Sequence, residues 1–479
     1  MKEKRHYLFI FTQLGVCRLY LPVLKELAAQ GHKLSFFFTG EKPIPGPGRR
    51  LEGEEYIQAL EDLGPWVQVH QGVLPKRADR WAGLAYRIRI YRDYLRYLHP
   101  DYAKAHKLRE RLERIVDNPR LLRGIGNWRR LTGEWGVRCL EGGLSFLQRC
   151  IPADRSMQHF FRQHSPDAVF FSRLVDPGCP QTEYLRASKS LKIPSYVCIA
   201  SWDNLTNKGI LPLQPDRVFV WNEFQREECV RYHGVAPEKV IATGAQVFDD
   251  WFDSRPDYTL DEITKRVGLP RAEPYLLYVC SSSFIAKVEI EFVARWLKVL
   301  REKLPDLNVI IRPHPQNAKQ WAEHTLPGEG ENLAIFPRAG QYVSTDESRV
   351  FYSSLLAHCQ GIVGINTSAM VEGGIFDKPV FTVLAPEFVL TQEGTIHFSY
   401  LIDEGLAIKA RDLSEHVEQV ARILEGETAE EKSARRAFVA KFLRPRGLNL
   451  RATQVFVDEL EGLFAAPLMV ASKTVEEPA

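Results

Sequence analysis

Three short segments in the second half of this 479-residue chain carry side chains suited to an anion. Ser281-Ser282-Ser283, Arg312-Pro313-His314-Pro315 and Gly364-Ile365-Asn366-Thr367-Ser368 each follow an apolar run. Serine hydroxyls and free backbone N–H groups at a helix start make a phosphate cradle. A serine acting only as a helix N-cap is the competing reading. Arginine forks onto phosphate, histidine donates a hydrogen bond to it, and flanking prolines stiffen the backbone that presents both. Arg312 and His314 in a purely architectural role is the alternative there. Thr367 and Ser368 open a helix, and Glu372, one turn further along, is placed to accept hydrogen bonds from ribose hydroxyls. A Ser/Thr cap before a Glu is common by itself, so this segment gains weight only beside the other two.

The first half offers one dense polar loop, Ser201-Trp202-Asp203-Asn204-Leu205-Thr206-Asn207-Lys208-Gly209. A carboxylate there can take the proton of an attacking hydroxyl, which makes Asp203 the candidate general base. Lys208 can help neutralise a departing phosphate. The bland alternative is an Asx turn in which Asp203 and Asn204 satisfy their own backbone. Asp249, Asp250 and Asp253 read as solvated charges.

These loops need a scaffold. Tyr7–Phe11 is a β-rich run, residues 19–30 have helical spacing and stop at Gly31, and Leu34–Phe38 is a second apolar run. Strand, turn, helix, glycine and strand form a βαβ unit, which implies a parallel sheet covered by helices. The alternation resumes with strands expected at 168–171, 195–199, 217–221 and 240–243. A second set has strands at 275–279, 309–311, 361–364 and 380–384. Its helices are expected at 285–304, 348–359, 368–376, 411–425 and 429–443, and a last helix covers 452–464. The fold class is therefore α/β, with two doubly wound Rossmann-like domains, a hinge near 250–261 and a cleft between them. Ligands in such sheets sit beyond the carboxyl ends of the strands, where all the polar loops above fall.

A basic segment interrupts the pattern. Residues 76–162 hold 20 Lys+Arg against 9 Asp+Glu, although the whole chain has 63 against 60. The overall balance gives no case for a nucleic-acid binder. Within the segment, 81–98 reads as an amphipathic helix with an apolar stripe at Leu84, Ile88, Tyr91, Leu95 and Leu98. Arg89, Arg92 and Arg96 form the neighbouring basic stripe. Basic and aromatic residues together suit anionic headgroups or an acidic acceptor polymer. A solvated outer face is the plain alternative.

The eight cysteines include no C-x-x-C pair, so zinc and a disulfide framework are not expected, and reduced thiols fit better. No apolar run has membrane-span length. Lys2, Lys4 and Arg5 before Leu8–Cys17 mimic a signal peptide, but there is no A-x-A-like cleavage site and Arg18 follows. A cytoplasmic chain is expected, with peripheral attachment to the inner membrane face as an option.

The chain resembles the GT-B glycosyltransferases. Residues 21–38, with Gly31-His32 before the second strand, are similar to that family's first βαβ unit, and Thr243-Gly244-Ala245-Gln246-Val247-Phe248-Asp249 resembles its interdomain segment. His314-Pro315 and the Thr367-Ser368…Glu372…Lys378-Pro379-Val380 run are most similar to one branch. That branch holds CDP-glycerol glycerophosphotransferases and capsule-type transferases using CMP-sugars such as Kdo or sialic acid. The resemblance implies an acceptor-side domain at 1–253, carrying the helical insertion at about 76–162, and a nucleotide-donor domain at 254–443. A terminal helix at 444–466, with the option of packing back on the first domain, and a tail at 467–479 complete the division.

The resemblance further implies that Ser282, Ser283, Arg312, His314, Thr367, Ser368 and Glu372 contact the donor nucleotide and its phosphate, with Ser281 in the same loop. No metal or other cofactor is expected, since no D-x-D motif occurs and Arg, His and helix termini can neutralise the phosphates. The D/E-D/E-G motif of many CMP-sialic acid users has no counterpart here. The G-T-R-P-E loop of non-hydrolysing UDP-GlcNAc epimerases is absent at residues 13–18. The expected activity is transfer of a sugar or polyol-phosphate to a cell-surface polysaccharide or lipid-linked acceptor, as in capsule or teichoic acid synthesis. A nucleotide-sugar epimerase or hydrolase, and an inactive glycan- or partner-binding module, are the alternatives.

Overall fold

The computed structural model describes residues 3–40, 54–70, 74–116, 119–343 and 345–465. The tail expected at 467–479 lies outside the described residues. The first sheet comprises β1 (His6–Phe11), β2 (Lys33–Phe38), β3 (Val67–Val69), β4 (Ala168–Ser172), β5 (Ser195–Cys198), β6 (Arg217–Val220) and β7 (Val240–Ala242). Its order is β3-β2-β1-β4-β5-β6-β7, and every pairing is parallel. The second comprises β8 (Tyr275–Val279), β9 (Asn308–Arg312), β10 (Leu333–Ile335), β11 (Cys359–Gly364), β12 (Val380–Val383) and β13 (Ala407–Ala410). Its order is β10-β9-β8-β11-β12-β13, again all parallel. Both sheets reverse direction of strand order beside their first strand, and the crevice at such a switch point receives ligands.

Helices cover both faces of each sheet, so the central strands are apolar on both sides and read as unbroken runs. In β8 all five residues are buried. Three strands escaped the sequence reading: β3 and β10, of three residues each, and β13, of four, which are edge strands of the two sheets.

The basic segment folds as helices Ala82–Arg96, His106–Glu113, Pro119–Cys150 and Arg155–His164. The long third one breaks at Gly133, whose φ of +63° and ψ of −152° are outside any helix. The helix Ala82–Arg96 is buried on both flanks, which overturns the surface role expected for its arginines. Arg89, Arg92 and Arg96 are 5%, 6% and 7% exposed. Arg89 pairs with Glu183, and Arg92 chelates Glu141 and donates to the Pro212 carbonyl. Arg96 donates to the Tyr102 hydroxyl and to the carbonyls of Leu205 and Gly209. They anchor the helix to the first domain, and the exposed member of the pattern is the apolar Leu84.

The chain crosses back at its end. Helix Ala429–Leu443 closes the second domain, and helix Ala452–Ala465 then lies on the first, burying Phe456, Val457 and Leu460 among Tyr7, Phe9 and Phe219. Full burial of such side chains contributes roughly 1.5–3 kcal/mol each. Asp249 fixes the crossing. It is wholly buried, accepts from Arg444 Nη2 at 2.7 Å, and takes the N–H groups of Ala452 and Thr453 at 3.1 and 2.7 Å. It is therefore not the solvated charge expected from its acidic neighbours. Gly244, at φ +98°, passes so close that an added Cβ would meet the Leu443 carbonyl at 2.9 Å. No helix among the described residues is long and apolar enough to cross a membrane.

Candidate functional site

The loops after β8, β9 and β11 meet at the carboxyl edge of the second sheet. Ser281 ties them together. Its N–H donates to the Glu289 carboxylate at 2.9 Å, its carbonyl accepts from Asn317 Nδ2 at 3.2 Å, and its Oγ accepts from the Asn366 N–H at 3.5 Å. Ser281 is thus buried structure, while Ser282 is half-buried and Ser283 exposed. The helix expected to start at Ile285 begins at Glu289, capped by no side chain, so none of the three serines caps it. A separate turn intervenes, in which the Ser282 carbonyl accepts the N–H groups of Ile285 and Ala286.

Arg312 is the last residue of β9. Its Nη2 donates to the Gln341 carbonyl at 3.2 Å, and its guanidinium lies 4.1 Å from the Tyr352 ring centre. The Tyr352 hydroxyl donates to Glu372 Oε2 at 2.7 Å. Burial raises the Glu372 carboxyl, against the opposing pull of Tyr352, Arg312 and Arg18. One Glu372 oxygen is therefore already engaged by a protein hydroxyl.

His314 follows in a loop that turns at Pro315–Asn317. Its Nδ1 accepts the Gln316 N–H at 3.1 Å, which leaves the ring proton on Nε2. Burial, then Arg312 and Arg18, push the ring down to about 4. At neutral pH it is an uncharged Nε2–H donor. Thr367 is the extended N-cap of helix Ser368–Ile375, and no side chain caps that helix. Its first N–H groups remain available to an anion beside Arg312 and His314.

Arg18 was not singled out from the sequence. It sits in the 3₁₀ turn Leu14–Leu19 directly after β1, and its guanidinium lies 5.3 Å from the ring of Tyr342 in the second domain. Its charge acts on both His314 and Glu372. The turn after the first strand of a parallel sheet was the available signal, since that position faces the crevice. Arg18, Arg312 and the Thr367 helix end thus bring positive potential to the cleft from both domains.

Asp203 lies in the turn after β5. Its Oδ1 accepts from Asn204 Nδ2 at 3.1 Å, a side-chain contact and not the side-chain-to-backbone bond of an Asx turn. Burial acts to raise its carboxyl, but His397, Lys208 and Ser201 outweigh this and hold it below the usual range. His397 belongs to the second domain. Its ring meets Trp202 edge-on at 4.6 Å, its Nε2 is 3.5 Å from Asn366 Nδ2, and its buried Nδ1 has no partner among the described residues. Burial pushes that ring down to about 4. His397 escaped the sequence reading because only the fold brings it to Asp203 and Asn366. Lys208 ion-pairs with Asp176 at 3.5 Å, so its charge is already partly balanced inside the first domain.

No family model matches the sequence, and no curated protein matches it. Solved structures do resemble it in shape. The UDP-GlcNAc 2-epimerase of Methanocaldococcus jannaschii, solved with UDP-GlcNAc and UDP, superposes with a TM-score of 0.52 at 11% identity over 95% of this chain and 99% of its own. The UDP-GlcNAc 2-epimerase of Neisseria meningitidis bound to UDP-GlcNAc gives 0.51 at 13% identity, covering 95% and 99%. A glycosyltransferase of Rickettsia africae gives 0.52 at 10% identity, covering 97% and 100%. At such identities the likeness speaks for architecture alone: this chain has the two-domain GT-B fold.

Proposed function

We propose that the chain is a nucleotide-dependent transferase that moves a sugar or polyol-phosphate from a pyrimidine-nucleotide donor to a glycan hydroxyl. The observation that carries this reading is the convergence of Arg312, the His314 Nε2–H and the uncapped Thr367 helix end, with Arg18 facing them from the first domain. Such a constellation suits a bound phosphate or diphosphate. The pyrimidine rests on two independent hints. The sequence resembles CMP- and CDP-dependent transferases, and two of the similar structures were solved with UDP-GlcNAc.

In this reading the acceptor hydroxyl attacks the donor carbon or phosphorus and passes its proton to Asp203. The bond to the nucleotide phosphate breaks, and the departing charge is taken up by Arg312, the helix N-terminus and the His314 hydrogen bond. Closure of the cleft brings Arg18 onto the same phosphates and excludes water.

The test is nucleotide release from CDP-glycerol, CMP-sialic acid and UDP-GlcNAc, each with and without a glycerol-phosphate polymer or capsular oligosaccharide. Release from one donor that depends on acceptor, and falls about 10²–10⁴-fold in Asp203→Asn, is expected. Release indifferent to acceptor would make the chain a hydrolase. A donor epimerised without acceptor would make it an epimerase.

A further inference from the structure

A second cavity lies on the flank of the first domain, away from the strand ends that form the cleft. It measures about 750 Å³ and runs between the insertion's helical segment 134–150 and residues 210–214 of the first domain. Ligand cavities commonly measure roughly 300–1,000 Å³. Leu95, Leu98, Val137, Ile210, Leu211 and Leu213 form its apolar wall. Its charged lining is unequal, with six Lys and Arg side chains against the two carboxylates Glu134 and Glu141.

Glu141 is engaged by Arg92 at 2.9 Å. Lys189 and Arg231 have carboxylate partners in Asp216 and Asp101. Arg149 reaches only Ser145 Oγ at 3.4 Å, and neither it nor Arg138 has a carboxylate partner among the described residues. Both are exposed at the rim. The same helical segment is also apolar on its outer side, where Trp135 and Phe146 are 72% and 64% exposed. Eleven residues, about three turns, separate them, so they share a face.

We propose that this groove binds a single-chain amphipathic anion, an alkyl or isoprenyl phosphate. Its chain lies along the leucines and Val137, and its phosphate is held by Arg149, since Arg138, eleven residues back on the same helix, stands roughly 16 Å away along the axis. A free sugar phosphate would leave the apolar wall uncovered, and a neutral chain would leave Arg149 unmatched. The exposed Trp135 and Phe146 suit a protein that meets its ligand at an apolar phase. This site does not depend on the transferase reading, because it shares no residue with the donor cluster.

Calorimetric titration of the full chain with dodecyl phosphate below its micellar concentration tests the proposal, with inorganic phosphate and dodecyl maltoside as controls. Dodecyl phosphate is expected to bind at least about tenfold more tightly than either control. Arg149→Ala, and separately Val137→Glu, should each weaken it about tenfold while far-UV circular dichroism shows the fold kept. Equal binding of inorganic phosphate, equal binding of the maltoside, or unchanged affinity in both variants would overturn it. Binding to phosphatidylglycerol vesicles that survives Val137→Glu, without dodecyl phosphate binding, would assign the face to a bilayer surface and overturn the groove.

Discussion

The Arg312 guanidinium lies over the Tyr352 ring at 4.1 Å, and the Tyr352 hydroxyl donates to Glu372 at 2.7 Å. One aromatic side chain therefore positions both the cation proposed to hold phosphate and the carboxylate proposed to hold ribose. Cation–π contact contributes about 0.5–2 kcal/mol, more as water is excluded. Tyr352→Leu should lower nucleotide affinity about three- to tenfold, whereas Tyr352→Phe, which keeps the ring, should retain most of it. Equal losses in both, measured by calorimetry, would mean that the hydroxyl matters and the stack does not.

His314 gives a pH signature. Its ring is held down at about 4 in the free chain by burial, Arg312 and Arg18. A phosphate beside it favours the charged ring and so raises its pKa in the complex. Because the bound state then takes up a proton, affinity should rise as pH falls from 7 to 5. His314→Gln keeps a hydrogen-bond donor without a titration, and its profile should be flatter by the histidine's contribution. Superimposable profiles would remove His314 from the phosphate site.

Glu228 makes the domain boundary sensitive to pH. The Tyr400 hydroxyl of the second domain donates to it at 2.8 Å, and burial pushes its carboxyl up to about 8 from 4.5. Folded chains keep this group protonated where unfolded chains have lost the proton. Its contribution is therefore lost progressively as pH rises from about 4.5 to about 8. Glu228→Gln should melt roughly 1–4 °C above the wild type at pH 8 and level with it near pH 4.5. A variant that melts lower at pH 8 would contradict this.

Asp249 and Arg444 form a buried pair that also caps helix Ala452–Ala465. Removing one partner of such a pair costs about 3–5 kcal/mol, because the other charge stays buried alone. Asp249→Ala should lower the melting temperature and speed amide exchange in residues 452–465 ahead of the rest of the chain. Exchange that stays uniform would show that hydrophobic packing alone holds the terminal helix.

Legibility followed the range of the interactions. The first βαβ unit and most central strands could be read from local periodicity, as could helices Leu413–Glu425 and Ala429–Leu443. Arg89, Arg92 and Arg96 were assigned to the right helix and the wrong environment. Spacing shows that they share a face, but not that Glu183, Glu141 and the Leu205 carbonyl lie opposite it. Asp249 was misread for the same reason, since its partner is 195 positions away. Ser281 was expected at a ligand and is instead a buried tie between three loops. Arg18 and His397 reach the cleft only through the packing of one domain on the other.

The central claim is a nucleotide site built on Arg312 and its neighbours. Calorimetric titration of UDP and CDP into the wild-type chain and into Arg312→Ala tests it most directly. The Arg312 side chain makes one hydrogen bond among the described residues, to the Gln341 carbonyl, and stacks on Tyr352, so the variant should lose about 0.5–2 kcal/mol of stability and still fold. The account predicts that the wild type binds one of the two nucleotides and that the variant binds it about 10–100-fold more weakly. Equal binding by both proteins, or no binding of either nucleotide by the wild type, would contradict it.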